Sequence, residues 1–355
     1  MNNITKIKNA LSDRGLDAIM LTNETNRRYA IGFSSTAGLA LITKKDSYFF
    51  VDSRYIEAAR NTVEDAIVEM TDVSSSYIDK VNTIIETNGI KELGFEDESE
   101  SYSQYLRYAE KLKVELVPAQ SILKSLRAVK DEWEIDSLKR AQKLAEKAYE
   151  GVLEIIRPGI TECDIAAELT YRMLKLGAEN ISFEPIVVSG YKSSMPHGVP
   201  GNKKIEYGDF LTMDFGCKLG GYCSDMTRTI AIGKATDEMR RVYSVVLEAQ
   251  LAGINAVKAG VAGCEVDKTA RDIISAAGYG AYFGHGFGHS LGLDIHEEPN
   301  ASASNENPLP SGAVISAEPG IYLPGRFGVR IEDVVIVRED GCENITVTPK
   351  ELLII

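Results

Sequence analysis

The sequence predicts a mixed α/β chain of two domains, the second α+β in character and duplicated within itself. Three observations carry this. Residues 1–122 alternate short helix and strand signals. A long helical stretch then runs from about Ser121 to Ile156 and stops at Arg157-Pro158-Gly159. Beyond it, three segments recur in the same order about a hundred residues later. The length of 355 residues suits two domains at about 100–200 residues each.

In the first part, ITKIKNALSDRGL (4–16) spaces its apolar residues as one face of a helix, and DAIMLT (17–22) follows as a short strand. AGLALITKKDSYFFVD (37–52) reads as a hairpin, two apolar runs around the polar turn KKDS. RYIEAARNTV (54–63) and SYSQYLRYAEKL (101–112) read as helices, and VELVPA (114–119) as a closing strand. No catalytic constellation is visible here. The boundary is expected at 122/123, near the start of the long helix. That helix should end at Arg157-Pro158-Gly159, because proline lacks an N–H and glycine accepts positive φ.

In the second part, RPGITECDIAAEL (157–169) aligns with KAGVAGCEVDKTA (258–270), matching Gly159 to Gly260, Ile160 to Val261, Cys163 to Cys264 and Ile165 to Val266. His197-Gly-Val-Pro200 then aligns with His296-Glu-Glu-Pro299, and GDFLTMDFG (208–216) with GAVISAEPG (312–320). One such match is noise. Three in order predict two similar halves, of helices followed by strands, sharing a cleft with approximate two-fold symmetry.

Composition narrows the function. A net charge of −13 repels nucleic acid and anionic membrane. No apolar run approaches the ~20 residues of a membrane span. The start, MNNITKIKNALSDRGLDAIM, has no apolar run or small-residue cleavage site of a signal peptide. Five cysteines without a C-x-x-C pair fit reduced thiols, so a cytoplasmic setting is expected. H-E-x-x-H, G-x-S-x-G, the P-loop and G-x-G-x-x-G are absent.

The repeat sets Asp214 opposite Glu318, each an acid inside an otherwise apolar strand. A buried carboxylate is costly unless paired or bound to a cation. Asp214 is followed by Asp225 across DFGCKLGGYCSDM, and Glu318 by Glu332 across EPGIYLPGRFGVRIED. Gly220-Gly221 marks a hairpin turn in the first, and a hairpin can bring each pair face to face, at about 4.5–5.5 Å between Cβ atoms. The segment GHGFGHSLGLDIHEEP (284–299) supplies His285, His289 and His296, three of the chain's four histidines. Taken singly, each residue has a plain structural reading: a strand Asp at the surface, a histidine in a loop. Those readings do not account for two hairpins with paired acids at matched places and every histidine nearby. Four carboxylates in one cleft require counter-charge, and two divalent cations with one imidazole would make a site for hydrolysis.

On these residues, DFG, SDMTRT, HGFGH, HEEP, EPG and RIED in order, the chain resembles the pita-bread metallopeptidase family, which includes methionine aminopeptidase, prolidase and aminopeptidase P. The resemblance covers the whole chain. Residues 1–122 resemble the N-terminal domain of the creatinase, prolidase and aminopeptidase P branch, and 123–355 the catalytic domain. It implies that Asp214 binds one metal, that Asp225 and Glu332 bridge, and that His289 and Glu318 bind the other, with Glu318 also moving a proton. It implies further that His197 and His296 contact the substrate and transition state and that His285 faces the substrate. By the same resemblance Arg330 orients an aspartate ligand and Tyr322 lines the site.

The mostly oxygen ligand set suits manganese, with cobalt or zinc as alternatives. Cys217 and Cys223 match no ligand and read as packing residues. The implied activity is hydrolysis of the N-terminal Xaa-Pro bond of short peptides, as an aminopeptidase P or alternatively a prolidase, in a homodimer. Creatinase-like chemistry and a non-catalytic binding scaffold are more remote, because both lack the ligand set that this chain keeps.

Overall fold

The computed structural model describes residues 3–355; the first two residues of the expected N-terminal domain lie outside the described part. The chain divides into two compact units, residues 1–126 and 127–355.

The first unit runs α1 (Ile4–Arg14), β1 (Ala18–Leu21), α2 (Glu24–Ile31), β2 (Leu39–Thr43), β3 (Ser47–Val51), α3 (Ile56–Thr62), β4 (Ile67–Met70), α4 (Tyr77–Asn88), β5 (Glu92–Phe95), α5 (Tyr102–Lys111), β6 (Glu115–Pro118) and α6 (Gln120–Ala128). Its strands form one sheet in the order β4-β3-β2-β1-β5-β6. The expected hairpin is β2–β3, antiparallel, with Leu39 opposite Phe50. Helices α2 and α4 and strands β4 and β5 lie outside the sequence reading. The apolar runs of α2, β4 and β5 are too short to separate by period, whereas α4 does carry helical spacing at Ile78, Val81 and Ile85.

The helical stretch expected from about Ser121 to Ile156 is two helices, α6 and then α7 (Glu132–Leu153). The break has a local cause. Lys130 N–H donates to Gly312 O (3.0 Å), outside any helix. Asp131 N–H donates to the Glu134 carboxylate (2.9 Å), which starts the new helix. The 122/123 boundary expected from sequence therefore falls inside α6.

The second unit continues with α8 (Glu162–Lys175), β7 (Asn180–Ile181), β8 (Ile186–Ser189), β9 (Phe210–Phe215), β10 (Cys217–Leu219), β11 (Tyr222–Cys223), β12 (Met226–Ala231), α9 (Asp237–Ala256), α10 (Gly263–Ala276), β13 (Gly288–Ser290), β14 (Glu297–Ala301), β15 (Val314–Ala317), β16 (Gly320–Leu323), β17 (Phe327–Arg330), β18 (Asp333–Arg338) and β19 (Gly341–Asn344). Its sheets include β12-β9-β8 and β14-β13-β15-β18-β19.

The duplication is physical. α8 and α10 are each 14 residues long and begin at matched places. Before them Gly159 N–H donates to Ile205 O and Gly260 N–H to Leu309 O, both at 2.9 Å. Gly159 and Gly260 both take positive φ, 96° and 84°. Isolated bridges pair Thr161 with Lys204 and Ala262 with Pro308.

In each half a long helix covers one face of a strand pair. Ala145, Ala148, Tyr149 and Val152 of α7 pack with Met213, Phe215 and Met226. The Tyr149 and Phe215 rings stack at 5.9 Å. Val242, Val246 and Ala249 of α9 pack with Ile315, Ala317 and Val335. Removing one such ring, as in Phe215→Ala, costs about 3–5 kcal/mol. Because side chains alternate along a strand, burying Met213 and Phe215 against α7 turns Asp214 to the opposite face.

Candidate active site

A cavity of about 640 Å³ opens on that opposite face, wholly within the second unit. Asp214, Asp225, His289, Glu318 and Glu332 all line it, with His197, His285, His296 and Arg330. Every residue singled out from the sequence therefore converges on one cavity except Tyr322, which stands one hydrogen bond behind it.

The two hairpins deliver their acids differently. In the second half, the β15–β18 and β16–β17 ladders share one register: Ala317 opposes Asp333 and Gly320 opposes Arg330. Glu318 and Glu332 fall opposite each other in the break between them, as expected. In the first half Asp214 opposes Thr227, not Asp225. Asp225 stands two residues before Thr227 and so projects from the same face, as a diagonal neighbour. The face-to-face geometry expected for both pairs holds for one. The Gly220-Gly221 turn joins β10 to β11 and leaves Asp225 just short of β12.

Asp225, His289 and Glu332 bring ligand atoms within 4.8 Å of one another. His289 Nε2 lies 3.3 Å from Glu318 Oε1 and 3.6 Å from Asp225 Oδ2. The other ring nitrogen, Nδ1, lies 3.2 Å from Ser290 O. A carbonyl oxygen only accepts, so Nδ1 carries the proton and Nε2 turns its lone pair toward the carboxylates. Nε2 and the carboxylate oxygens are all acceptors, so either a cation or a shared proton must stand between them. Three buried carboxylate oxygens, Asp214 Oδ1, Asp225 Oδ1 and Glu332 Oε1, have no hydrogen-bond partner. Buried acceptors are as a rule hydrogen-bonded, so three partnerless carboxylate oxygens lining one cavity fit metal ligands. Burial, then the charges of Glu332, Asp214 and Glu318, pushes Asp225 well above the usual carboxylate range. Burial with neighbouring charges does the same for Glu332. Burial holds the His289 and His296 imidazoles below their ordinary value, which favours neutral rings.

Around these residues runs a set of hydrogen bonds. Arg330 donates to Asp214 Oδ2 (2.5 Å), to the Tyr322 hydroxyl (2.9 Å), to Thr227 Oγ1 (3.0 Å) and to Pro196 O (3.2 Å). Thr227 donates to Glu332 Oε2 at 2.7 Å. The Tyr322 oxygen, having accepted from Arg330, donates its proton to His285 Nε2 (2.9 Å), while His285 Nδ1 donates to Gly286 O (2.9 Å). Both His285 nitrogens are thus engaged within the protein. Burial pushes the Tyr322 hydroxyl up to about 12, so it stays protonated. His289 and His296 meet edge to face, ring centroids 4.4 Å apart. Cys217 and Cys223 are buried and neutral, with burial pushing their thiols up to about 11 and about 12.

The back of the histidine strands carries a buried ion cluster. Ser290 pairs with Glu297 across β13–β14. Lys130 donates to Ser290 Oγ (3.0 Å) and Glu297 Oε2 (3.2 Å), and Arg127 bonds Glu297 and Asp294. Since side chains alternate, pinning Ser290 and Glu297 on this side turns His289 and His296 toward the cavity. Sequence reading missed Thr227, Lys130 and Glu297 in these roles. Only Thr227 left a trace, its two-residue spacing from Asp225 on one strand face.

Comparison with known proteins follows the same lines. Residues 136–339 match the model of metallopeptidase family M24, and residues 3–129 the creatinase/prolidase N-terminal domain. A Xaa-Pro dipeptidase of Pyrococcus furiosus is 36% identical over 352 residues, 99% of each chain. Among solved structures, a Xaa-Pro dipeptidase from Bacillus anthracis superposes with a TM-score of 0.95 at 44% identity, covering 99% of both chains. An X-Pro aminopeptidase from Thermotoga maritima superposes with 0.92 at 38% identity, covering 97% of this chain and 99% of that one. No helix among the described residues is long and apolar enough to cross a membrane. With its cavity, its converged acids and these relatives, the chain belongs to metallopeptidase family M24, in the proline-specific pita-bread branch, and is a peptide-bond hydrolase.

Proposed function

We propose that the chain is a two-metal Xaa-Pro aminopeptidase, with Xaa-Pro dipeptidase as the alternative. The observation that carries the metal reading is the trio of partnerless buried oxygens on Asp214, Asp225 and Glu332 beside the His289 lone pair. Asp214 would hold one divalent ion, His289 and Glu318 the other, with Asp225 and Glu332 shared. The oxygen-rich set favours manganese over cobalt or zinc. Bound there, the ions supply Lewis-acid polarisation of the scissile carbonyl and a water nucleophilic near neutral pH.

The chain's own residues do the rest. The Glu318 carboxylate takes the proton of the attacking water and passes it toward the leaving imino nitrogen. Ser316 donates to its Oε1 (3.1 Å) and holds the carboxylate in place. His197 and His296 bind the substrate and the charge that develops on the carbonyl oxygen. Arg330 fixes the Asp214 carboxylate and, through Tyr322, the His285 ring.

A dipeptide presents a free carboxylate next to the scissile bond; a longer peptide presents a neutral carbonyl. Arg330 is the only arginine or lysine among the cavity-lining residues, and it is already engaged by Asp214 and Tyr322. Among the described cavity residues a free carboxylate would find no arginine or lysine left to pair with it, and on that ground the longer peptide is preferred. A cytoplasmic homodimer belongs to the same reading.

The test is cleavage by metal-stripped protein with manganese added back. The substrates are a Xaa-Pro dipeptide, a Xaa-Pro-Xaa tripeptide, a proline-free tripeptide and a Met-Ala peptide. Release of the first residue from the proline tripeptide is expected. Cleavage confined to the dipeptide would make the chain a prolidase. Silence with metal bound would reject proline specificity.

A further inference from the structure

His197 sits on an exposed loop, yet it must reach the cavity that the carboxylates line. One of its anchors is a buried side chain outside the cavity wall. Glu162, the first residue of α8, is fully buried. Its Oε1 accepts from the Ser189 N–H (2.8 Å) and the Ser189 hydroxyl (3.0 Å). Its Oε2 accepts from the Gly201 N–H (3.1 Å) and from Lys192 Nζ. Lys192 Nζ also donates to Val199 O at 2.9 Å.

Ser189 ends β8, the neighbour of the strand that carries Asp214. Gly201 is where the chain returns. One carboxylate therefore closes both ends of the 190–200 loop, and Lys192 ties the loop's interior to the same carboxylate. On the cavity side, Pro196 O accepts from Arg330, which holds Asp214. His197 lies between these two anchors. A carboxylate can accept four such donors; an amide in its place offers one acceptor oxygen and two unwanted donors.

We propose that Glu162, with Lys192, is a positioning residue for turnover, setting where His197 stands over the carboxylate cluster. This rests on the reading of His197 as a substrate contact. Displacing a catalytic contact by about 1 Å can cost roughly 100-fold, while the metal ligands, on other segments, stay in place.

The test uses Glu162→Gln and Lys192→Met, each alone and combined with His197→Ala, in the full-length protein. kcat and KM are measured on the Xaa-Pro-Xaa tripeptide, bound manganese by elemental analysis, and hydrogen exchange at the amides of His197, Gly198, Val199 and Gly201. Glu162→Gln should lower kcat by about 10- to 100-fold with KM changed far less. Metal content should stay the same and exchange at those amides should quicken. In the His197→Ala background the same substitution should cost less than about threefold, because the residue it positions is gone. Equal losses in both backgrounds, or an unchanged kcat, would overturn the proposal. Should Glu162→Gln fail to fold, Lys192→Met keeps the carboxylate and its backbone donors and should show the same non-additivity at smaller size. If the unmodified protein leaves proline peptides intact, the functional reading falls, and exchange alone decides whether Glu162 holds the loop.

Discussion

In the first half of the catalytic domain α8 opens with Thr161 and Glu162, while in the second α10 opens with Ala262 and Gly263. The backbones match; the side chains do different work. Glu162 reaches across to fasten the His197 loop. A side chain at Gly263 would run into Asn300 O at 2.4 Å and Asn305 Nδ2 at 2.6 Å, because β14 comes in too close. The second half fastens its histidine segment one turn further along the helix. Asp267 accepts from the Phe287 N–H (2.9 Å) and pairs with Arg271. Arg271 in turn donates to His285 O (2.7 Å) and Phe283 O (2.9 Å). The duplicated frame sets where Asp214 and Glu318 stand, and each half has its own device for holding histidines.

The largest expected effect lies where the two-fold relation fails, at Asp225. Asp225→Asn should abolish stoichiometric metal binding and lower activity beyond the ~10²–10⁴-fold of a lost general acid or base. Elemental analysis beside a tripeptide assay checks this, and full metal content would contradict the shared-ligand role. Next come the matched histidines. His197→Ala and His296→Ala should each lower kcat by about 10²–10³-fold and leave metal in place. An empty His197→Ala protein would reject its role as a substrate contact.

A third difference follows each histidine: Gly198 after His197, Glu297 after His296. Burial raises the Glu297 pKa, but Lys130 and Arg127 outweigh it and hold the carboxyl below its ordinary value. A depressed folded-state pKa stabilises the fold above the unfolded value of about 4.3 and loses that contribution as pH falls through the folded value. At neutral pH Glu297→Gln should therefore be less stable by about 3 kcal/mol. The gap should narrow below about pH 4. Urea unfolding of both proteins across pH 3–7 measures it, and a constant gap would exclude the ion cluster as the cause.

The smallest effect tests the likeness itself. Gly159 and Gly260 share positive φ, and a Cβ at either meets nothing within 4 Å. Gly159→Ala and Gly260→Ala should each cost about 1–2 kcal/mol, equally in the two halves. Unequal urea midpoints would mean that the halves are strained differently at their matched turns.

Much of this was legible from residue types. The hairpin at 37–52 is marked by two apolar runs around KKDS, and the repeat by itself picks out Asp214 and Glu318. The continuous helix from Ser121 to Ile156 was misjudged because Lys130 N–H is drawn to Gly312 O, a contact that no helical period reveals. Asp225 opposite Asp214 was misjudged because strand register depends on where the turn closes, and a two-residue offset preserves the face.

Residue identity alone picked out the acids and histidines that line the cavity, because carboxylates in apolar, duplicated strands are costly unless they are paired or bound. Tertiary structure alone decided which oxygens lack partners, which nitrogens of His285 are engaged, and that Glu162 governs a loop whose far end, Gly201, lies 39 residues away. The physical reason is range. Period and propensity record a residue's nearest neighbours along the chain, whereas burial and hydrogen bonding depend on neighbours that only the folded chain brings together.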